Sequence, residues 1–222
     1  LPEELGRLNA KKLLIITDPG LIESGIIAGI QKMLEAQGLE VHLFTEVEPD
    51  PRYEIVEKAA EQVGNVGADA IVGIGGGSPL DIAKVAAVKV SNDQPVDAFF
   101  GIDLIEKPGL PTILIPTTAG TGSEVTPIAI LSDEKEKLKK GIVSPHLFPW
   151  ACILDPELTL GLPQPMTAAT GMDALIHAVE AYTSRNANSF SDMLAEKAIS
   201  LVYKNIRKAY ADGDNIEARS NM

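Results

Sequence analysis

The stretch Ala70-Ile71-Val72-Gly73-Ile74-Gly75-Gly76-Gly77-Ser78-Pro79-Leu80-Asp81 sets the reading of the whole chain. Ala70–Ile74 is an apolar run of strand length, the kind buried on both faces of a parallel sheet. The three glycines that follow let the backbone turn sharply and leave no Cβ to block a close ligand. Ser78 then suits a helix N-cap, Pro79 the first helical position and Asp81 the acid of a capping box. Leu80–Val90 is apolar nearly all round, which predicts a helix packed on both sides. A helix starting there points its free N–H groups at the strand end, a ready site for a pyrophosphate. The stretch is neither the G-x-G-x-x-G dinucleotide fingerprint nor a Walker A loop, so on its own a tight structural turn explains it equally well.

The same alternation repeats outward from this turn. Leu13–Ile16, Val41–Phe44 and Ile113–Ile115 read as further buried strands. Ile22, Ile26, Ile30, Met33 and Leu34 share one helix face, and Ile55, Val56, Ala59, Ala60 and Val63 share another. Strand–helix alternation implies an α/β domain with a mostly parallel sheet, whose ligand crevice lies at the carboxyl ends of the strands. Val125–Leu131, Gly141–Ser144 and Ala151–Leu154 read as strands, the first two separated by the charged turn Asp133–Lys140. After Pro163 and Pro165 the pattern becomes helical: about Thr167–Thr183, about Ser189–Ala211 and a short helix from near Asn215. The expected division is an α/β domain over 1–161 and the start of an all-α domain over 162–222.

Three further groups are candidates for chemistry. Asp18 ends the first strand, where a carboxylate holds both ribose hydroxyls of an adenosine and repels a 2′-phosphate; Asp18-Pro19 is also an ordinary helix start. Pro116-Thr117-Thr118-Ala119-Gly120-Thr121-Gly122-Ser123-Glu124 follows another strand and offers hydroxyl and amide donors, or is simply a polar loop. Asp173 and His177 stand four residues apart on one helix, nearly at the same azimuth, with Met172, Leu175, Ile176, Val179 and Tyr182 on the opposite, apolar face. An imidazole and a carboxylate one turn apart suit Fe²⁺ or Zn²⁺, but the same spacing is routine for a surface ion pair. Of the other histidines, His42 falls in a strand and reads as structural, while His146 sits in a loop between Pro145 and Pro149.

Composition narrows the partners. Lys and Arg total 19 against 31 Asp and Glu, giving a net charge of −12, which disfavours nucleic acid and anionic membranes. The single cysteine, Cys152, excludes an intrachain disulfide and fits a reducing cytosol. No apolar run approaches the length of a membrane span, and Leu1-Pro2-Glu3-Glu4-Leu5 is not a signal peptide.

Taken together, in order, these segments resemble the iron-containing (group III) alcohol dehydrogenase family. The likeness runs through Thr17-Asp18-Pro19-Gly20-Leu21, Gly75–Asp81, Pro116–Thr121 and, most specifically, Ala169-Thr170-Gly171-Met172-Asp173-Ala174-Leu175-Ile176-His177-Ala178-Val179-Glu180. The resemblance implies that Gly76, Gly77 and Ser78 hold the cofactor pyrophosphate, and that Asp81, at the same helix start, belongs to the cofactor-binding set. It implies that Asp18 contacts the adenosine ribose and favours NAD over NADP. Asp50 would lie near the adenosine, and Thr117, Thr118, Thr121, Thr126 and Lys139 would contact the cofactor. Asp173 and His177 would be metal ligands, for iron or alternatively zinc. The implied function is hydride transfer between a small alcohol or aldehyde and NAD, in a cytoplasmic homodimer. Members carry two further metal-binding histidines downstream, and no histidine follows His177 here. This chain is therefore expected to bind nucleotide more readily than it turns over alcohol. A nucleotide-binding module without turnover, and a polyol dehydrogenase or maleylacetate reductase of the same superfamily, remain the alternatives.

Overall fold

The computed structural model describes residues 1–222. The chain divides into two compact units: Leu1–Pro116 with Ser123–Ile153, and Thr117–Gly122 with Leu154–Met222. The expected boundary near residue 161 and these units differ in two places. Residues 154–161 and the loop 117–122 both group with the helices.

In the first unit, after a short helix α1 (Pro2–Arg7), the strands β1 (Lys12–Ile16), β2 (Glu40–Phe44), β3 (Ala70–Gly75), β5 (Thr112–Pro116) and β8 (Ala151–Cys152) form one sheet in the order β2-β1-β3-β5-β8. Every pairing in it is parallel. The connections from β1 through β5 are helical: α2 (Pro19–Glu23) and α3 (Ile26–Glu35), then α4 (Tyr53–Val66), then α5 (Gly77–Lys89). The chain leaves β1 for β2 on one side and returns to β3 on the other. The carboxyl ends of β1 and β3 therefore flank the point where strand order reverses, the place where open α/β sheets bind ligands. The core explains the run Ala70–Ile74: β3 is buried at every position, and Leu13 to Ile16 are fully enclosed. Each such Leu or Ile withdrawn from water stabilises the fold by about 1.5–3 kcal/mol.

A second, three-stranded sheet in the order β4-β7-β6 contains β4 (Gly101–Ile102), β6 (Ile128–Asp133) and β7 (Leu138–Val143). β6 and β7 form an antiparallel hairpin; Asp133 Oδ1 accepts from the amides of Lys135 and Glu136 and organises its turn. The strand expected from Val125 starts later, because Ser123–Val125 is a 3-10 turn and Pro127 has no amide to give to a ladder. The helix expected through Ile22–Leu34 is two helices. Gly25 breaks it in the left-handed region (φ 81°), and the Ser24 hydroxyl donates to Leu21 O and accepts from Ile26 N.

The second unit is helical: α6 (Gln164–Thr183), α7 (Ser189–Ala211) and α8 (Ile216–Asn221). Asn188 and Ser191 cap α7 reciprocally, which fixes its start where the sequence placed it. The expected apolar face of α6 is not the one that packs. Met172, Ile176, Val179 and Tyr182 stay exposed, while Thr167, Gly171 and Ala178 are buried. The reason is close helix approach: a Cβ on Gly171 would come 2.8 Å from Ile206 Cδ1 of α7. Arg219 of α8, 5% exposed, closes the unit by donating to Thr167 Oγ1, Leu162 O and Gly213 O. No helix is long and apolar enough to cross a membrane.

Candidate functional site: a strand-end cradle and a two-donor helix

The cradle lies where β1 and β3 end. Asp18 follows β1, is half-buried, and its Oδ1 accepts from Leu21 N (3.1 Å), so it caps α2. Thr17 beside it is fully buried, and its hydroxyl oxygen has no hydrogen-bond partner. Gly75, at the end of β3, has φ 150°; a Cβ there would come 2.6 Å from Pro79 Cγ and 3.2 Å from Asp18 Oδ2. The glycine is thus required twice, by its backbone and by the closeness of Pro79, with the Asp18 carboxylate in tight contact beside it. Gly73, two residues earlier in β3, lets Ala83 of α5 and Leu114 of β5 approach within 2.8 Å of its missing Cβ.

The start of α5 differs from its expected form. Gly76, not Ser78, is the N-cap; no side chain caps the helix, and Pro79 is in its third position. The capping box from Asp81 does not form, because that carboxylate turns inward. It accepts from Ser123 Oγ and from Ile130 N (2.8 Å) and pairs with Lys84 Nζ (3.0 Å). The first amides of α5 are consequently left to the strand end, with Gly76, Gly77 and Ser78 half-exposed there. An orphaned buried hydroxyl, a space that a Cβ would fill and an uncapped helix end fit a phosphate-bearing cofactor.

Asp50 and Lys139 meet elsewhere in the same unit. Lys139 Nζ lies 2.6 Å from Asp50 Oδ1, both side chains are exposed, and the pair borders an open cleft of about 770 Å³. Asp50 is held at φ 51° between two prolines, with Ser132 Oγ donating to its carbonyl (3.0 Å). Thr126 is half-buried after the 3-10 turn, its hydroxyl directed at Ser123 O (3.4 Å).

Thr117, Thr118 and Thr121 belong to the helical unit, respectively buried, half-buried and exposed. Their loop rests on α6: a Cβ on Gly120 would stand 2.8 Å from both Cβ and O of Thr170. One turn beyond Thr170, Asp173 Oδ1 and His177 Nε2 are 3.5 Å apart on an accessible face. A nitrogen and an oxygen donor at this spacing suit a divalent metal. No third His, Cys, Asp or Glu converges with them, and three protein ligands are the usual minimum for a catalytic ion. The pair therefore fits as part of a coordination shell. His42 bonds to Glu40, in keeping with its structural reading, and His146 lies in a 3-10 turn.

Residues 1–156 match the family profile described as iron-containing alcohol dehydrogenase. The chain belongs to that family. Residues 167–222 match the C-terminal profile of the Fe-containing alcohol dehydrogenase family. Within it, the sulfoacetaldehyde reductase of Bilophila wadsworthia is 45% identical over 219 residues, which cover 99% of this chain and 57% of that protein. A crystal structure of 1,3-propanediol oxidoreductase superposes with a TM-score of 0.95 at 40% identity, covering 99% of this chain and 57% of that one. The sulfoacetaldehyde reductase of Bifidobacterium kashiwanohense, solved in complex with NAD+, superposes at 0.90 with 34% identity, over 100% and 58% of the two chains. This chain thus spans little more than half the length of these iron-type dehydrogenases.

What the sequence did not reveal is Lys84. Its signal was present: a lysine three residues after Asp81, inside a helix otherwise apolar on all sides. A charge in such a place is buried and paired or it is not tolerated.

Proposed function

We propose that this chain supplies the nucleotide-binding unit and two metal ligands of an oxidoreductase that moves a hydride between NAD and a small alcohol, reversibly yielding the aldehyde. The carrying observation is the junction of Asp18 with the Gly75 turn and the uncapped end of α5, at the switch point of one parallel sheet. The amides of Gly77 and Ser78 would hold the pyrophosphate, and Asp18 the ribose hydroxyls; its charge opposes a 2′-phosphate. Asp173 and His177 would hold a divalent ion, iron by family and zinc as the alternative, as part of a larger ligand set. When bound, that ion supplies Lewis acidity to a substrate oxygen. The chain's residues contribute orientation and the exclusion of water around the cofactor. Family likeness supports a homodimer, and the lone Cys152 is compatible with the cytosol. The net charge of −12 supports small-molecule partners in preference to nucleic acid or membrane.

The incomplete donor set favours a second reading, in which the chain by itself binds nucleotide without turnover. NADH titration by fluorescence, with metal analysis of the protein and of Asp173→Ala and His177→Ala, tests both readings. NADH binding with metal retained only by the unsubstituted protein supports the dehydrogenase. NADH binding with no metal in either supports the module. If NADH does not bind, both fail.

A further inference from the structure

Two charged side chains of the first unit are withdrawn from water. Lys84 is 1% exposed, and its Nζ donates to Ser123 O (2.9 Å), to Ser123 Oγ (2.7 Å) and to Ile128 O. Asp81, 8% exposed, stands 3.0 Å from that ammonium and accepts from Ser123 Oγ and Ile130 N. Burial holds the Lys84 pKa below its usual value, and the neighbouring Asp81 charge opposes that shift. A buried ammonium persists only where its partners are close and its protons are all engaged, as here.

All these partners lie in residues 123–130, the segment that follows the Thr117–Gly122 loop, carries Thr126 and opens β6. On the other side, Asp81 and Lys84 occupy consecutive turns of α5, the helix whose amino end forms the cradle. An apolar pair at these positions would fill the space but leave Ser123 O, Ile128 O and Ile130 N without these partners. We propose that Asp81 and Lys84 form a latch fixing residues 123–130, and with them Thr126, in one register against the cradle helix. They are positioning residues, not ligands of the nucleotide. This rests on the nucleotide reading above. It also replaces the expectation that Asp81 is a cofactor-binding residue, since its carboxylate is engaged by Ser123, Ile130 and Lys84.

The test uses Lys84→Met, Asp81→Asn and the double variant, reading amide exchange at Ile130 and NADH affinity over a range of salt. The latch predicts faster exchange at Ile130 in each single variant. It predicts NADH binding weaker by about tenfold, the scale of coupling within one hydrogen-bond network. The double variant binds no worse than Lys84→Met, since the pair acts as a unit. The dependence of affinity on salt stays as in the unsubstituted protein, because no ionic contact with phosphate has been lost. A flatter salt dependence in Lys84→Met makes the lysine a direct phosphate ligand and overturns the latch. Unchanged exchange or unchanged NADH affinity in a folded variant overturns it too. If Lys84→Met does not fold, the shape-preserving Asp81→Asn decides by the same readouts. If the unsubstituted protein binds no NADH, the nucleotide reading fails, and exchange at Ile130 alone decides the latch.

Discussion

Gly120 is pressed against Thr170, so that the loop rich in threonine and the helix bearing Asp173 and His177 touch without a side chain between them. A Cβ at Gly120 would meet backbone as well as side chain, and neither yields easily. Gly120→Ala is expected to destabilise the protein by about 1–3 kcal/mol, the usual range for overpacking. Adding Thr170→Ala should recover none of this, because alanine keeps the Cβ, Cα and carbonyl oxygen of residue 170 that the new side chain meets. Thermal unfolding of the single and double variants measures both effects.

Gly75 and Gly64 make a controlled pair. At Gly75 the backbone (φ 150°) and Pro79 both reject a side chain, whereas a Cβ at Gly64, exposed near the end of α4, meets nothing within 4 Å. Gly75→Ala should lower stability and abolish NADH binding. Gly64→Ala should raise stability by about 0.5–1 kcal/mol through helix propensity, with NADH binding unchanged. Denaturant unfolding and NADH titration on both variants check the contrast.

Asp18 caps a helix and faces the cradle, and substitution separates the two roles. Asn caps as well as Asp, so Asp18→Asn should fold with nearly normal stability while NADPH affinity rises toward that for NADH. Asp18→Ala should lose the cap too, at about 0.5–2 kcal/mol. If Asp18→Asn leaves the NADH-to-NADPH preference unchanged, the ribose role is wrong.

The turn of the β6–β7 hairpin carries a pH signature. A hydrogen bond from Lys140 Nζ (2.9 Å), helped by the amides of Glu136 and Lys135, holds the Asp133 carboxyl below the usual carboxylate range despite its burial. A carboxyl whose pKa is lowered on folding adds stability above its unfolded pKa and loses it as pH falls through the folded value. Asp133→Asn should therefore be destabilising near neutrality, and the difference from the unsubstituted protein should shrink toward zero in strong acid. Unfolding curves at neutral and acidic pH provide the comparison.

Much of this fold was legible in one dimension, because its signals are local. Buried parallel strands are continuous apolar runs, and the ranges around Leu13, Val41, Ala70 and Ile113 appear within a residue or two of expectation. The start of α7 follows from Asn188 and Ser191, three residues apart. The misreadings share a cause. Gly25 divides a helix whose apolar periodicity continues across the break, because periodicity does not see a left-handed residue. The apolar face of α6 is not its buried one, which is made of Thr167, Gly171 and Ala178. Close approach selects for small side chains, which carry little hydrophobic signal.

The candidate site divides along the same line. Sequence alone determined which residue types are available: a glycine turn after a buried strand, a carboxylate after another, and an acid and an imidazole one helical turn apart. Each depends on spacing within one segment, which chain geometry fixes. Tertiary structure alone decided which segments meet: Asp18 with Gly75, Gly120 with Thr170, Asp50 with Lys139, and Asp81 with Ser123 and Ile130 in place of its own helix end. These pairs are up to 89 residues apart in the chain, a separation at which no periodicity survives. What selects them is the strand order β2-β1-β3-β5-β8 and the need to satisfy every polar group that the core encloses.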